Sequence, residues 1–176
     1  MKFNYSFLFL GLSLIAFSCI SKTDKNKETT YKQLTFKKKT SDKNKKGYMV
    51  NIEEVVNDNF DYRKVLYTGK HLQLVMMNLE PGEDIGWKNY SKSDQFIRVE
   101  SGSGTCLLNS ELYEIEANDA IFIPAGARHN ILNDNDSLDL KIYTLYAAPI
   151  HKNGISRSTK EEATRKREYF DGETTE

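Results

Sequence analysis

The residue best equipped for chemistry in this chain is His129, and its neighbours fix the direction in which it points. The stretch from Asn118 to Asn133 reads NDAIFIPAGARHNILN. The apolar run Ala120-Ile121-Phe122-Ile123 ends at Pro124, which cannot donate to a strand ladder, and Gly126 opens the left-handed geometry of a turn. Pro124-x-Gly126 therefore closes one strand and turns into the next. On that second strand a period of two sets His129, Ile131 and Asn133 on one face, with Asn130 and Leu132 on the other. A polar imidazole turned the same way as an isoleucine needs a partner inside the fold. The other two histidines are read as surface residues, His71 beside a hairpin turn and His151 in a loop after Pro149. Cys106, beside Leu107 and Leu108, reads as a buried, inert thiol rather than a nucleophile. Trp87, next to Lys88, reads as a pocket wall or as core, with core favoured.

The elements that must position His129 are strands. From Tyr48 to Ile155 the chain is rich in Val, Ile, Leu, Phe and Tyr, with a turn signal every 8 to 12 residues, the spacing of an all-β barrel or sandwich. Tyr48 to Ile52 is expected as a short first strand. Arg63 to Tyr67 and His71 to Leu79 flank Thr68-Gly69-Lys70, a hairpin signal. Leu72 to Leu79 is apolar on nearly every position, as a strand buried on both faces would be. Ile85 to Tyr90 is expected as a strand after the turn at Glu80-Pro81-Gly82-Glu83. Asp94 to Glu100 alternates strictly, with Gln95, Ile97 and Val99 on one face and Phe96, Arg98 and Glu100 on the other. Thr105 to Leu108, Glu111 to Ile115 and Leu138 to Ala147 complete the set. Past Pro149 a capping-box pattern at Ser158-Thr-Lys-Glu161 opens a short, mostly exposed helix over Thr159 to Tyr169, to which no chemistry is assigned.

The spacing Pro124-x-Gly126-x-x-His129-x-x-x-Asn133 resembles the second sequence motif of the cupins, with Asn118 standing where that family usually has Gly. The resemblance implies a small antiparallel jelly-roll barrel with His129 pointing inward as a metal ligand. The first cupin motif, Gly, His-x-His, Glu, Gly, is present in altered form. Gly86 and Gly102 mark its ends, Gln95 falls at the Glu position, and Lys88 and Tyr90 fall at the two His positions. Asp94-Gln95-Phe96, Arg98, Glu100-Ser-Gly102 and Tyr143-Thr-Leu-Tyr146-Ala-Ala-Pro149 are similar to a group of small single-domain cupins that also use Gln at the third position. The resemblance covers roughly Met49 to Ala163 and leaves room for a homodimer.

A first-row divalent ion wants three or four imidazole, carboxylate or thiolate ligands. The mapped positions supply the imidazole of His129, the neutral amide of Gln95, the phenol of Tyr90 and the ammonium of Lys88, whose charge repels a cation in a low-dielectric interior. The expectation is a degenerate metal site without a tightly held cofactor; iron, manganese, nickel or zinc is the alternative. Two classes of function follow. In the first, the barrel binds a small polar or anionic ligand through Lys88, Tyr90, Gln95 and His129. In the second, the protein is a metal-dependent enzyme of the sugar isomerase or dioxygenase kind, using Tyr90, Gln95 and His129. A blander third leaves the barrel filled with side chains and only its surface in use.

The N-terminus reads as an export signal. Lys2 is followed by the apolar run Phe7 to Phe17, and those 11 residues fall short of the roughly 20 that a membrane-spanning helix needs. Ala16-Phe17-Ser18-Cys19 looks like a lipobox, so cleavage before Cys19 and lipidation of that cysteine are expected, in the envelope of a bacterium. Ser21 to Gly47 carries 10 lysines against 3 acids and almost no apolar periodicity, the composition of a disordered tether. The expected organisation is a signal peptide over 1–18, a lipidated, Lys-rich linker over 19–47, the barrel over 48–155, and a C-terminal helix and tail over 156–176. The chain is neutral overall, yet Tyr48 to Glu176 carries 22 acidic against 14 basic residues. An acidic domain without a Lys/Arg-rich face argues against nucleic acid as a partner.

Overall fold

The computed structural model describes residues 47–176. The expected signal peptide, Cys19 and all of the tether but its last residue lie outside them. In chain order the elements are α1 (Ile52–Asn57), β1 (Arg63–Thr68), β2 (Gln73–Leu79), β3 (Asp94–Ser101), β4 (Ser103–Leu108), β5 (Glu111–Glu116), β6 (Ala120–Ile123), β7 (His129–Leu132), β8 (Leu140–Ala147), β9 (Ser156–Arg157) and α2 (Lys160–Arg165). They form a jelly roll of two antiparallel sheets, six strands in the order β6-β3-β8-β2-β1-β9 and three in the order β5-β4-β7.

The alternation in the sequence becomes the inner face of each sheet. Gln95, Ile97 and Val99 are buried along β3, and His129 and Ile131 are buried along β7. Ile97, Val99, Cys106 and Ile131 belong to one core cluster, so the inner faces of both sheets meet in a single interior. The doubly apolar stretch becomes β2, buried at six of its seven positions and paired on both sides, with β1 and β8. Gly102, at the end of the altered first motif, has a φ of +86°, and a Cβ there would come within 2.3 Å of the Asp139 carbonyl oxygen. Left-handed backbone and close approach together exclude any other residue without a local shift.

Three expectations need correction. Tyr48 to Ile52 is not a strand; Ile52 instead opens α1. Reading on past Ile52 supplies the reason, because Ile52, Val55 and Val56 follow the i, i+3, i+4 spacing of a helix face. Glu53 and Glu54 suit its first turn. The Lys141 ammonium donates to the Asn57 and Asn59 carbonyls at 2.7 Å each and so holds the end of α1 against the six-stranded sheet. Ile85 to Tyr90 is not a regular strand either, since Gly86 turns through a φ of +74°. That segment is tied to β7 by two isolated bridges, Asp84 to Leu132 and Lys88 to His129. The barrel also continues past Ile155, because β9 pairs with β1 through Ser156 and Arg157.

Candidate functional site

His129 is 1% exposed, and its Nδ1 lies 3.0 Å from the Ala127 carbonyl. A carbonyl can only accept, so Nδ1 carries the proton and Nε2 carries the lone pair. That lone pair is buried without a hydrogen-bond partner. Burial lowers the pKa of His129, the Ala127 carbonyl works the other way, and the charge of Lys88 lowers it further. The imidazole is therefore a neutral acceptor.

Lys88 faces His129 across a hydrogen-bonded pair. Its N–H donates to the His129 carbonyl at 2.9 Å, and the His129 N–H donates back at 3.0 Å. Residues directly opposed in an antiparallel pair project to the same face. Lys88 and His129 thus share a face, and the Lys88 ammonium lies back over Gly86, 3.6 Å from where a Cβ there would sit. Burial lowers the Lys88 pKa, with Arg63 and Arg167 adding to the effect and Asp84 opposing it.

Gln95 is 4% exposed; its amide donates to the Thr144 hydroxyl at 2.9 Å, and its Oε1 is left without a partner. Tyr90 links the interior to a second histidine. Its ring lies 6.0 Å from that of His129 and packs edge-on to Tyr146 at 5.6 Å, and Tyr146 packs edge-on to His151 at 5.5 Å. Burial pushes the Tyr90 hydroxyl up to about 12, so it stays a donor.

A cavity of about 650 Å³ opens beside this aromatic row. Of the four candidate residues, Lys88 and Tyr90 line it, while Gln95 and His129 are not part of its wall. Trp87 lines it too, 47% exposed, with the Arg128 guanidinium 3.9 Å from its ring centre; it is a pocket wall rather than core. His151 is likewise not a surface residue. It is 7% exposed, lines the cavity, and its Nε2 has no partner. Burial, then the charges of Arg63 and Lys88, pull its pKa down to about 3. His71 is exposed, as read from its turn.

The loop carrying His151 is held by Gln73. This fully buried amide donates to the His151 carbonyl at 2.7 Å and accepts from the His151 N–H at 3.0 Å. The C-terminal segment, to which the sequence assigns no chemistry, also lines the cavity through Lys160, Arg167 and Tyr169. Thr159 caps α2 by accepting from the Glu162 N–H at 3.1 Å, and Glu162 reaches back to the Ser158 N–H at 3.2 Å. The capping pattern is real but starts one residue later than Ser158. Lys160 bonds the Asp84 carboxylate, Arg157 pairs with Glu168 at 2.5 Å, and the Phe170 N–H donates to the Ile150 carbonyl at 3.0 Å. Burial alone would raise the Asp84 pKa, but hydrogen bonds from Lys160, Asn130 and the Gly86 N–H leave it lowered and ionised. Arg63, Lys160 and Arg167 are the cavity cations that sequence reasoning missed. Only Arg63 carried a signal there, because on β1 it shares the parity of buried Val65.

The cupin domain model matches residues 75–146. The chain is 36% identical to the Bacillus subtilis protein YrkC over 124 residues, 67% of this chain and 66% of that one. It is 37% identical to protein L612 of Acanthamoeba polyphaga mimivirus over 110 residues, 61% of this chain and 69% of that one. Among solved structures, BH2720 of Bacillus halodurans is 36% identical with a TM-score of 0.68, covering 72% of this chain and all of that one. The chain belongs to the cupin superfamily.

Cupins often bind metals, and the donors here do not fit one. His129 Nε2 and Gln95 Oε1 are unpartnered acceptors, but neither carries charge. Of the two histidine positions, one is filled by the half-buried Lys88 and the other by Tyr90, which keeps its proton. Among the described residues no three of His, Cys, Asp and Glu converge as a metal centre would need. Cys106 is no substitute, being 1% exposed with its thiol pushed up to about 11 by burial.

The neutral state of His151 should be visible in stability. The unfolded chain protonates this histidine near ~6.5 and the folded chain only near 3. Its contribution is complete above the unfolded value and is lost as pH falls toward 3, at up to about 1.4 kcal/mol per pH unit. Urea denaturation from pH 6.5 to 4 should therefore show a steeper loss for the wild type than for His151→Gln. Parallel curves would contradict a buried, neutral imidazole.

Proposed function

We propose that this cupin is a binding protein, held at a membrane by its lipidated N-terminus, whose cavity takes up a small organic anion without a metal. One observation carries the reading. Arg63, Lys88, Lys160 and Arg167 line a single cavity in a domain that is otherwise acidic. Lys160 is neutralised by Asp84, and the cavity acid Glu168 by Arg157. Among the described residues no carboxylate lies within 4 Å of the charged groups of Arg63, Lys88 or Arg167.

An anion entering the cavity meets charges already assembled and partly desolvated, which strengthens each charge-assisted bond. Tyr90 adds a protonated hydroxyl, while His129 and Gln95 act from behind it, fixing the segment that carries Lys88 and the inner surface of β3. In this arrangement the Lys88 ammonium stands in for the charge that a metal would otherwise bring.

The second reading, a metal-dependent enzyme working through Tyr90, Gln95 and His129, has the two unpartnered acceptors in its favour. The missing anionic ligand and the facing ammonium weigh against it. The membrane attachment rests on Lys2, the Phe7 to Phe17 run and Cys19. Among the described residues no helix is long and apolar enough to cross a membrane.

Calorimetric titration of the purified protein with small carboxylates and with inorganic phosphate should show binding that weakens with salt. Lys88→Met should weaken it by about 10- to 100-fold, the equivalent of about 1.5–3 kcal/mol for a bond to a charged group. An unchanged affinity in the folded variant would rule out Lys88 as an anion contact.

Membrane attachment is tested by fractionating cells that express the wild type or Cys19→Ser. The wild type should sediment with membranes and the variant should not. Release of both into the soluble fraction would exclude a lipid anchor on Cys19.

A further inference from the structure

Arg63 lines the cavity with much of its hydrogen-bonding capacity unused. It opens β1 on the same parity as buried Val65, and so faces inward. Its Nε is buried with no partner, and its one hydrogen bond, to the Ala163 carbonyl, is long at 3.4 Å. Its charge acts on Lys88, Tyr90, Tyr146 and His151 together, which sets it at the meeting point of the cavity and the aromatic row. A guanidinium presents a rigid planar fork that matches a carboxylate edge with two parallel bonds. Leaving such a group underused in a half-enclosed cavity is costly unless something completes it.

The rest of the wall indicates what the acid is attached to. Ile85, Trp87, Ile150, Ala163, Tyr169 and Phe170 present mostly apolar or aromatic surface. Uncharged polar groups are scarce there, and several are already committed. The Tyr62 hydroxyl donates to the Asp84 carbonyl at 2.9 Å, and the Thr164 hydroxyl donates to the Lys160 carbonyl at 2.9 Å. Asn89 is exposed. The Tyr90 and Tyr169 hydroxyls and the His151 Nε2 remain as neutral partners in the wall. A sugar phosphate would bring several hydroxyls to a wall that can pair with few of them, and each hydroxyl left unpaired lowers its affinity. An acid with an apolar body leaves none unpaired.

Resting on the anion-binding reading above, we infer that the cavity selects a carboxylic acid with an apolar, ring-sized body, its carboxylate held by the fork of Arg63 with Lys88 beside it. The ring lies against Trp87, Ile150 and Phe170, and the His151 Nε2 receives any hydroxyl next to the carboxylate. Cavities of this size hold molecules up to drug size, so one ring or two fused rings fit.

The chain has a single tryptophan, and it lines the cavity. Trp87 fluorescence therefore reports occupancy, and optically silent probes can be used. Full-length protein is titrated with cyclohexanecarboxylate, with the neutral isostere cyclohexylmethanol, and with glucose 6-phosphate, followed by Trp87 emission and by calorimetry. Cyclohexanecarboxylate should bind one to one and at least tenfold tighter than the alcohol or the sugar phosphate. Arg63→Lys, which keeps the charge and loses the fork, should weaken it at least tenfold with circular dichroism unchanged.

Glucose 6-phosphate binding as tightly as the ring acid would overturn the ligand class and leave the anion-binding reading standing. The alcohol binding as tightly as the acid would overturn the carboxylate anchor. A folded Arg63→Lys protein with undiminished affinity would remove Arg63 from the site. If none of the three probes nor inorganic phosphate bound, both this inference and the reading beneath it would fail. The ligand comparison uses the wild-type protein alone, so a poorly folding Arg63 variant leaves the test intact.

Discussion

Two backbone hydrogen bonds, between Lys88 and His129 in both directions, turn a cation and an imidazole to the same face of this barrel. Much of the site follows from that pairing. The imidazole is held in one tautomer by the Ala127 carbonyl and kept neutral by burial and by the ammonium opposite it. A metal would need its ligands to be anionic or neutral, and here one ligand position carries a positive charge. In low dielectric that charge opposes a divalent ion, and a single imidazole and an amide oxygen bring no negative charge to offset it. The same charge favours an anion, and Arg63 and Arg167 act in the same direction.

The C-terminal segment, from Lys160 to Phe170, supplies much of the cavity wall. Thr159 starts α2, Lys160 bonds Asp84, Arg157 pairs with Glu168, and Phe170 hydrogen-bonds the Ile150 carbonyl. Exposed ion pairs contribute little individually, about 0–1 kcal/mol each. The backbone bonds and the burial of Ala163 therefore matter more to the position of the segment than its charges do. Lys160 consequently serves mainly to neutralise Asp84, leaving the deeper Arg63 and Lys88 as the effective charge of the cavity. Gln73 does the complementary work on the other wall, gripping the backbone of His151 so that the neutral ring stays turned into the cavity.

The strands and the inner faces were legible because alternation is a direct imprint of the pleat. Gln95, Ile97, Val99, His129 and Ile131 could all be set inward from sequence. So could the altered motif, since Gly86, Gly102 and the Pro124-Gly126 turn are backbone requirements with few substitutes. What escaped was tertiary. His151 follows a proline in a loop, and nothing local reveals that Gln73, 78 positions earlier, pins it into the interior. Sequence leaves Trp87 between core and pocket wall, and only the fold shows its ring lining the cavity with Arg128 over it. α1 was misread because Tyr48 to Ile52 alternates weakly like a strand, while the helical spacing lies in the residues that follow. Lys160 and Arg167 belong to a charged segment that any composition rule sends to solvent, and only the return of the chain over the barrel gives them a site.

The claim that side-chain cations replace a metal is tested most directly by measuring anion affinity before and after metal removal. Protein expressed in metal-replete medium is analysed for iron, manganese, nickel and zinc. Its affinity for a small carboxylate is then measured as purified, after chelation and dialysis, and after each metal is restored. The arrangement of Lys88, Arg63 and His129 predicts metal well below one equivalent and the same affinity in all three states. Stoichiometric metal, with affinity lost on chelation and regained with one divalent ion, would contradict it.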